Sequence, residues 1–85
     1  MRSSCLNCAR KHLACATILM TESVLGYPDH KWLAIGHMAQ AEAELVKDYL
    51  HLALMVREAR KVYELDGDAG IMGLIRILGE AAAKR

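Results

Sequence analysis

The sequence predicts a single all-α domain over residues 1–85: a helical hairpin with one long central helix and a short C-terminal helix, a three-helix arrangement. Hydrophobic residues make up 54% of the chain but aromatic residues only 5%, so the core must consist mainly of aliphatic side chains, which favours helices over strands. Turn-forming residues are concentrated in two short segments, 26–29 and 65–70, which leaves three helical stretches.

The first predicted helix covers residues 6–24, with Ser3 or Ser4 as its N-cap. Gly26 can adopt a positive φ and so end this helix, and Pro28 suits the start of the next one.

The second predicted helix covers residues 29–65 and contains Gly36 as its only internal glycine. At 1.5 Å per residue it would be more than about 50 Å long, and the first helix would cover only about half of it. Apolar residues recur along it at steps of three and four, which is typical of a packing seam. They are Ile35, Met38, Leu45, Tyr49, Leu52, Val56, Ala59 and Tyr63.

The third predicted helix, residues 71–84, folds back on the far half of the second. Gly70, Gly73 and Gly79 would let it approach closely, although glycine weakens a helix. The high apolar content of so short a chain further predicts a homo-oligomer, in which another copy covers the exposed apolar surface.

Charge and cysteine content exclude several classes of protein. The formal net charge is +1 and acidic and basic residues are interspersed, so the chain lacks the strongly basic surface typical of nucleic-acid-binding proteins. No apolar run approaches the length of a membrane span, so no membrane partner is predicted. Three cysteines, an odd number, argue against a closed disulfide framework and favour a cytoplasmic location.

Metal-ligating side chains cluster near the N-terminus. Cys5, Cys8, His12 and Cys15 are separated by three, four and three residues, which places them on one stripe of a helix. Cys5 and Cys15 would lie about 15 Å apart along the axis. Zinc holds its ligands at about 2.0–2.3 Å, so a single ion cannot take all four.

We therefore predict a structural zinc site formed by Cys5, Cys8 and His12 and completed from the second helix. Folding the sequence at the first turn places residue i opposite about residue 54 minus i, which makes His51 the preferred fourth ligand. The same register predicts that Cys15 is a small buried residue. Two alternatives remain open: a redox-active cysteine pair, and cysteines that only pack.

Polar residues of the second helix offer other interpretations. His30, His37, Glu44 and His51 recur every seven residues but stand about 10 Å apart per step, so they form a solvated face or a second ligand site at His30 and His37. Glu42 interrupts the apolar stripe, where an unpaired carboxylate is costly. It either hydrogen-bonds His12, belongs to a ligand pocket or reaches water at the edge of the seam.

A small anionic ligand is the other candidate partner. Arg10 and Lys11 lie beside the cysteine cluster, and arginine is suited to bidentate phosphate binding, although a solvated helix face is the alternative. The chain has no glycine-rich phosphate loop. The candidate ligand contacts are Arg10, Lys11, Tyr27, His30, His37 and Glu42.

Three segments of the first half of the chain resemble a family of small uncharacterised helical proteins from phage and prokaryotic genomes. The resemblance implies that the cluster, the turn and the His37–Glu42 region belong together, and it assigns no activity. The segments are Cys5-x-x-Cys8-x-Arg10-Lys11-His12-Leu13, Gly26-Tyr27-Pro28-x-His30 and Gly36-His37-Met38-x-x-Ala41-Glu42.

Three functional hypotheses follow. The first is a small non-catalytic binding or interaction module with a structural zinc site. The second, by analogy of size and helicity alone, is a phage-type oligomeric sponge that sequesters an anionic nucleotide-like signal in the host cytoplasm. The third is a thiol redox or metal-dependent enzyme, for which the sequence shows neither an oxyanion-hole motif nor a Glu-x-x-His pair.

Overall fold

Four helices follow one another along the chain in a computed structural model, which describes residues 4–83 apart from the side chains at positions 68, 69, 71, 81 and 82. They are α1 (Leu6–Leu25), α2 (His30–Leu45), α3 (Leu50–Leu65) and α4 (Gly67–Ala83). The described residues form no strand, and the all-α class is confirmed. Within the same residues, no helix is both long and apolar enough to cross a membrane.

The helices form an up-and-down bundle measuring 40 × 20 × 19 Å. Both α1 and α3 pack against α2 and α4, so the four helices form a ring. Glu22 near the end of α1 pairs with His30 at the start of α2, and Glu42 near the end of α2 pairs with Arg57 on α3. Gly70 and Gly73 of α4 face Tyr63 and Ala59 of α3 in reverse order, so all consecutive helices are antiparallel.

The predicted long central helix is wrong, because the chain leaves the helix between Leu45 and Leu50. The Asp48 backbone N–H donates to Ser4 Oγ at 3.0 Å, and the Ser4 N–H donates to Asp48 Oδ2 at 2.8 Å. This reciprocal contact with the start of α1 stabilises a turn that neither glycine nor proline marks. The break replaces the predicted three helices by four and lets α3 return along α2.

The two ends of α1 are capped in different ways, by a cysteine side chain at the start and by a glycine at the end. Its N-cap is Cys5, whose Sγ accepts a hydrogen bond from the Cys8 backbone N–H at 3.1 Å. Ser4 is instead occupied by the contact with Asp48, and Ser3 lies outside the described residues. Gly26 ends the helix with φ 130°, as predicted, in the region where a side chain is strained.

A single hydrophobic core runs through the bundle and draws on all four helices. Apart from the adjacent pair Leu52 and Ala53 on α3, the buried positions of each helix recur at steps of three and four, as expected for one inward-facing stripe. Most of the predicted seam is buried, while Ile35 and Tyr49 are only partly buried at its edge. The core residues are Ala9, Leu13, Ala16, Met20, Ala34, Met38, Ala41, Leu45, Leu52, Ala53, Val56, Ala59, Tyr63, Leu74 and Ile77.

Among the glycines of α4, Gly70 lies closest to α3. A Cβ built there would lie 2.4 Å from the Tyr63 Cβ, so only glycine fits without a shift of the chain. A Cβ at Gly73 would make an ordinary van der Waals contact, and one at Gly79 would meet nothing within 4 Å. Of the three glycines predicted to allow a close approach, only Gly70 is therefore required for it. The helix starts one turn earlier than predicted, at Gly67, and its predicted end at Lys84 lies outside the described residues.

Candidate functional site

The first turn of α1 holds a disulfide between Cys5 and Cys8. Both residues are partly buried. The odd cysteine count predicted no closed framework, whereas the structure pairs two cysteines and leaves Cys15 as the free one. Reduction would return two thiols at a helix N-terminus, where the positive end of the helix dipole stabilises a thiolate.

One turn further along α1, His12 contacts His37 of α2. The two Nδ1 atoms lie 3.0 Å apart, and the ring planes are tilted by 35° with centroids 5.2 Å apart. Both side chains are partly buried. As a hydrogen bond, this contact requires one ring to carry a proton on Nδ1 and the other to accept it there.

The cysteine pair and the histidine pair lie on the same stripe of α1. His12 follows Cys8 by four residues in a continuous helix, and side chains at this spacing have Cβ atoms about 5–6 Å apart. Because the two cysteines are bonded to each other, only the two imidazoles of this cluster remain available as metal ligands. Accordingly, no group of three or more His, Cys, Asp or Glu side chains within the described residues is arranged to hold a metal ion.

The histidine beside His12 differs from the one preferred from the sequence. His51, the predicted fourth zinc ligand, is exposed in the first turn of α3, beyond the unpredicted break. His37, predicted as a ligand contact, occupies the position next to His12 instead. The predicted register places Glu42 opposite His12, and His37 precedes Glu42 by five residues, so a hairpin shift of little more than one turn brings His37 to His12.

Cys15 is exposed, so the prediction that it is a small buried residue is wrong. The buried stripe of α1 passes through Leu13 and Ala16, which places Cys15 on the outer side of the helix. Cys15 follows Cys8 by seven residues of continuous helix, about 10 Å along the axis, which is too far for a disulfide with either cysteine of the pair.

Glu42 contacts arginines rather than His12, so the alternative in which it hydrogen-bonds His12 is wrong. Its Oε2 accepts hydrogen bonds from Arg57 Nη2 at 3.0 Å and Nε at 3.1 Å, and Arg60 Nη1 lies 3.5 Å from Oε1. The side chain is only 16% exposed, and its buried Oε1 has no hydrogen-bond partner among the described residues. These contacts join α2 to α3, and a continuous central helix could not have formed them.

Tyr27 and His30 belong to the turn between α1 and α2. Their rings stack with centroids 5.3 Å apart, and His30 Nδ1 lies 3.2 Å from Glu22 Oε1. Because His30 is two helical turns from His37, these histidines do not form one site. At the same end of the bundle, burial raises the pKa of Tyr63, and a hydrogen bond with Ser23 opposes that shift.

Arg10 and Lys11 line a groove of about 410 Å³ between α1 and α4, together with Asn7, Ala14 and Leu78. Neither cation takes part in an ion pair among the described residues. The predicted ligand contacts therefore fall into separate places: the groove, the histidine pair, the first turn and the arginine-bound Glu42.

Comparison with known proteins gives no assignment: the chain matches no protein-family model, no curated protein and no solved structure. The resemblance to small phage and prokaryotic proteins stays a prediction.

Proposed function

We propose that the chain is a small non-catalytic binding module whose N-terminal end is stabilised by one zinc ion in the reduced protein. The ligands are the thiolates of Cys5 and Cys8 and the imidazoles of His12 and His37. The contact between the two histidine Nδ1 atoms, one turn from the cysteine pair, is the observation that carries the proposal.

The donor set suits zinc. Two cysteines and two histidines form a common structural zinc site, and the spacing Cys5-x-x-Cys8 is that of a zinc-binding turn. Zinc binds imidazole nitrogen at about 2.0–2.1 Å, so two nitrogens 3.0 Å apart can both reach one ion. The two thiolates would neutralise the charge of the ion in this partly buried place.

A four-ligand site explains why a metal here would support structure rather than catalysis. Catalytic zinc keeps a coordination position open for water or substrate, whereas four protein ligands close the site. The ion would link α1 to α2 through His37, so its binding free energy would add to the stability of the folded state. Small domains with modest cores commonly depend on such a link.

Replacing His37 tests this ligand set, with His51 as a matched control. We expect wild-type protein, purified under reducing conditions, and the His51→Ala variant to carry one zinc per chain in native mass spectrometry. The His37→Ala variant should carry less than about a tenth as much, because zinc requires its fourth protein ligand in a structural site.

Circular dichroism of the same samples checks that each variant remains helical. A reduced wild-type chain without zinc would refute the metal centre, and loss of zinc only in the His51→Ala variant would restore His51 as the ligand. A chain that binds no zinc but turns over disulfide substrates, with activity lost on Cys8→Ser, would favour a thiol redox enzyme.

Binding of a small anionic ligand is the second candidate function, and the groove between α1 and α4 favours it. Arg10 provides a planar fork of donors for a phosphate, and Lys11 adds a point charge. Ala14 and Leu78 provide an apolar part of the wall for the remainder of a nucleotide-like ligand. This arrangement would serve a sequestering protein without any catalytic group.

Neutralising the groove should abolish stabilisation by an anion. We expect cyclic AMP at millimolar concentration to raise the Tm of the wild-type protein, because a ligand that binds only the native state stabilises it. The Arg10→Gln/Lys11→Gln variant should show no shift, and the Lys61→Gln variant, which removes an exposed cation on α3, should respond like wild type. Equal shifts in all three proteins, or none in wild type, would contradict this site.

A further inference from the structure

A second groove, between α3 and α4, differs from the first in its chemistry. It has a volume of about 420 Å³, and its apolar wall includes Leu54, Met55, Val62 and Ile77. Leu54 is 45% exposed and Val62 is 40% exposed, so large apolar side chains there face solvent in the single chain. Contiguous apolar surface of this kind is typical of an interaction site.

The same groove carries one charge of each sign. Glu58 lines it from α3 and Arg76 lines it from α4. Lys61, on the same helix as Glu58, lies 3.7 Å from that carboxylate, and both side chains are largely exposed, so their attraction is weak. Arg76 takes part in no ion pair within the described part of the chain.

The two charges lie at nearly the same height along the bundle. A Cβ at Gly73 would be 3.6 Å from the Ala59 Cβ, which places these two positions opposite each other. Glu58 precedes Ala59 by one residue and Arg76 follows Gly73 by three, in antiparallel helices. Their heights therefore differ by about 3 Å, from the helical rise of 1.5 Å per residue.

This surface is complementary to itself. A two-fold axis parallel to the helices lays α3 of one copy against α4 of the other, as an isologous interface requires. Glu58 of each copy then faces Arg76 of the other copy, and the apolar residues meet across the axis. A surface with only one sign of charge would repel its own copy in this arrangement.

We propose that the α3–α4 groove is the interface of a two-fold homodimer. Leu54, Met55 and Val62 form its apolar centre, and Glu58 and Arg76 form two symmetric ion pairs between the copies. The interface lies on other helices than the cysteine and histidine pairs, so the proposal does not depend on zinc.

Charge exchange tests the dimer. We expect wild-type protein to be dimeric by size-exclusion chromatography with light scattering. The Glu58→Arg and Arg76→Glu variants each place like charges opposite one another, which should raise the dimer Kd at least about tenfold. The double variant carrying both exchanges should recover dimerisation, because each pair is restored with reversed signs.

The control is Lys61→Glu, which changes the charge next to Glu58 but lies outside the groove lining. It should leave the dimer Kd within about threefold of wild type, since exposed charges contribute little. A wild-type chain that stays monomeric at about 1 mM, single exchanges without effect, or a double variant that stays monomeric while helical by circular dichroism would each overturn the proposal.

Discussion

The Gly70→Ala variant is expected to lose about 3 kcal/mol or more of its free energy of unfolding, at the upper end of overpacking effects. The added Cβ would lie 2.4 Å from the Tyr63 Cβ and 2.6 Å from its Cα. Because one of these atoms belongs to the backbone, no change of rotamer can relieve the contact. Alanine is the better helix former by about 1 kcal/mol, which offsets only part of the loss.

Gly79→Ala is the matched control on the same helix. Its Cβ would meet nothing within 4 Å, so the variant should gain up to about 1 kcal/mol from helix propensity alone. Urea unfolding followed by circular dichroism measures both variants under the same conditions. Equal stability of Gly70→Ala and wild type would mean that α4 does not approach Tyr63 as the structure has it.

The Leu45→Ala variant should be the second strongly destabilised protein, with a loss of about 2–5 kcal/mol. Leu45 is completely buried at the end of α2, where the chain turns towards α3. Truncation leaves a cavity that the surrounding helices fill only in part. Since small domains have about 5–15 kcal/mol of stability in total, this variant should be close to unfolding at 37 °C.

Leu33→Ala makes the same substitution on the same helix at a position that is 55% exposed. We expect a change of less than about 1 kcal/mol there, because a half-exposed leucine leaves little cavity. The two variants are compared by their urea midpoints and slopes. A similar loss in both would show that the core does not run through Leu45.

Much of the bundle could be predicted from spacing alone. The steps of three and four along the second predicted helix identify buried positions correctly from Met38 to Tyr63, apart from Tyr49, which is only partly buried. Gly26 marks the first turn because its φ of 130° is a conformation that residues with a side chain rarely adopt. The sequence alone predicts a helix end of this kind, because the conformational preference of a single residue causes it.

The break between α2 and α3 could not be predicted in this way. The residues between Leu45 and Leu50 include no glycine and no proline, and the apolar seam continues through them without a change of phase. What stabilises the turn is the contact between Asp48 and Ser4, which are 44 residues apart. A pattern read along one helix contains no information about such a contact.

The site shows the same limit at finer scale. Folding the sequence at the first turn gives the hairpin register only to within about one turn. Little more than one turn separates Glu42, the predicted neighbour of His12, from His37, its neighbour in the structure. The residues that recur every seven positions include His37, but only the packed hairpin shows that His37 is the one that contacts His12. Arg57 and Arg60 could be recognised as partners of Glu42 only once α3 folds back on α2.

Zinc K-edge X-ray absorption of the reduced chain reports whether two sulfur and two nitrogen ligands bind the metal. For reduced protein loaded with one equivalent of zinc, we expect two sulfur atoms at about 2.3 Å and two nitrogen atoms at about 2.0–2.1 Å. The His37→Ala variant, loaded in the same way and then desalted, should retain less than about a tenth of this zinc. A shell of nitrogen and oxygen alone would refute the proposed zinc site, because it would mean that Cys5 and Cys8 do not bind the metal.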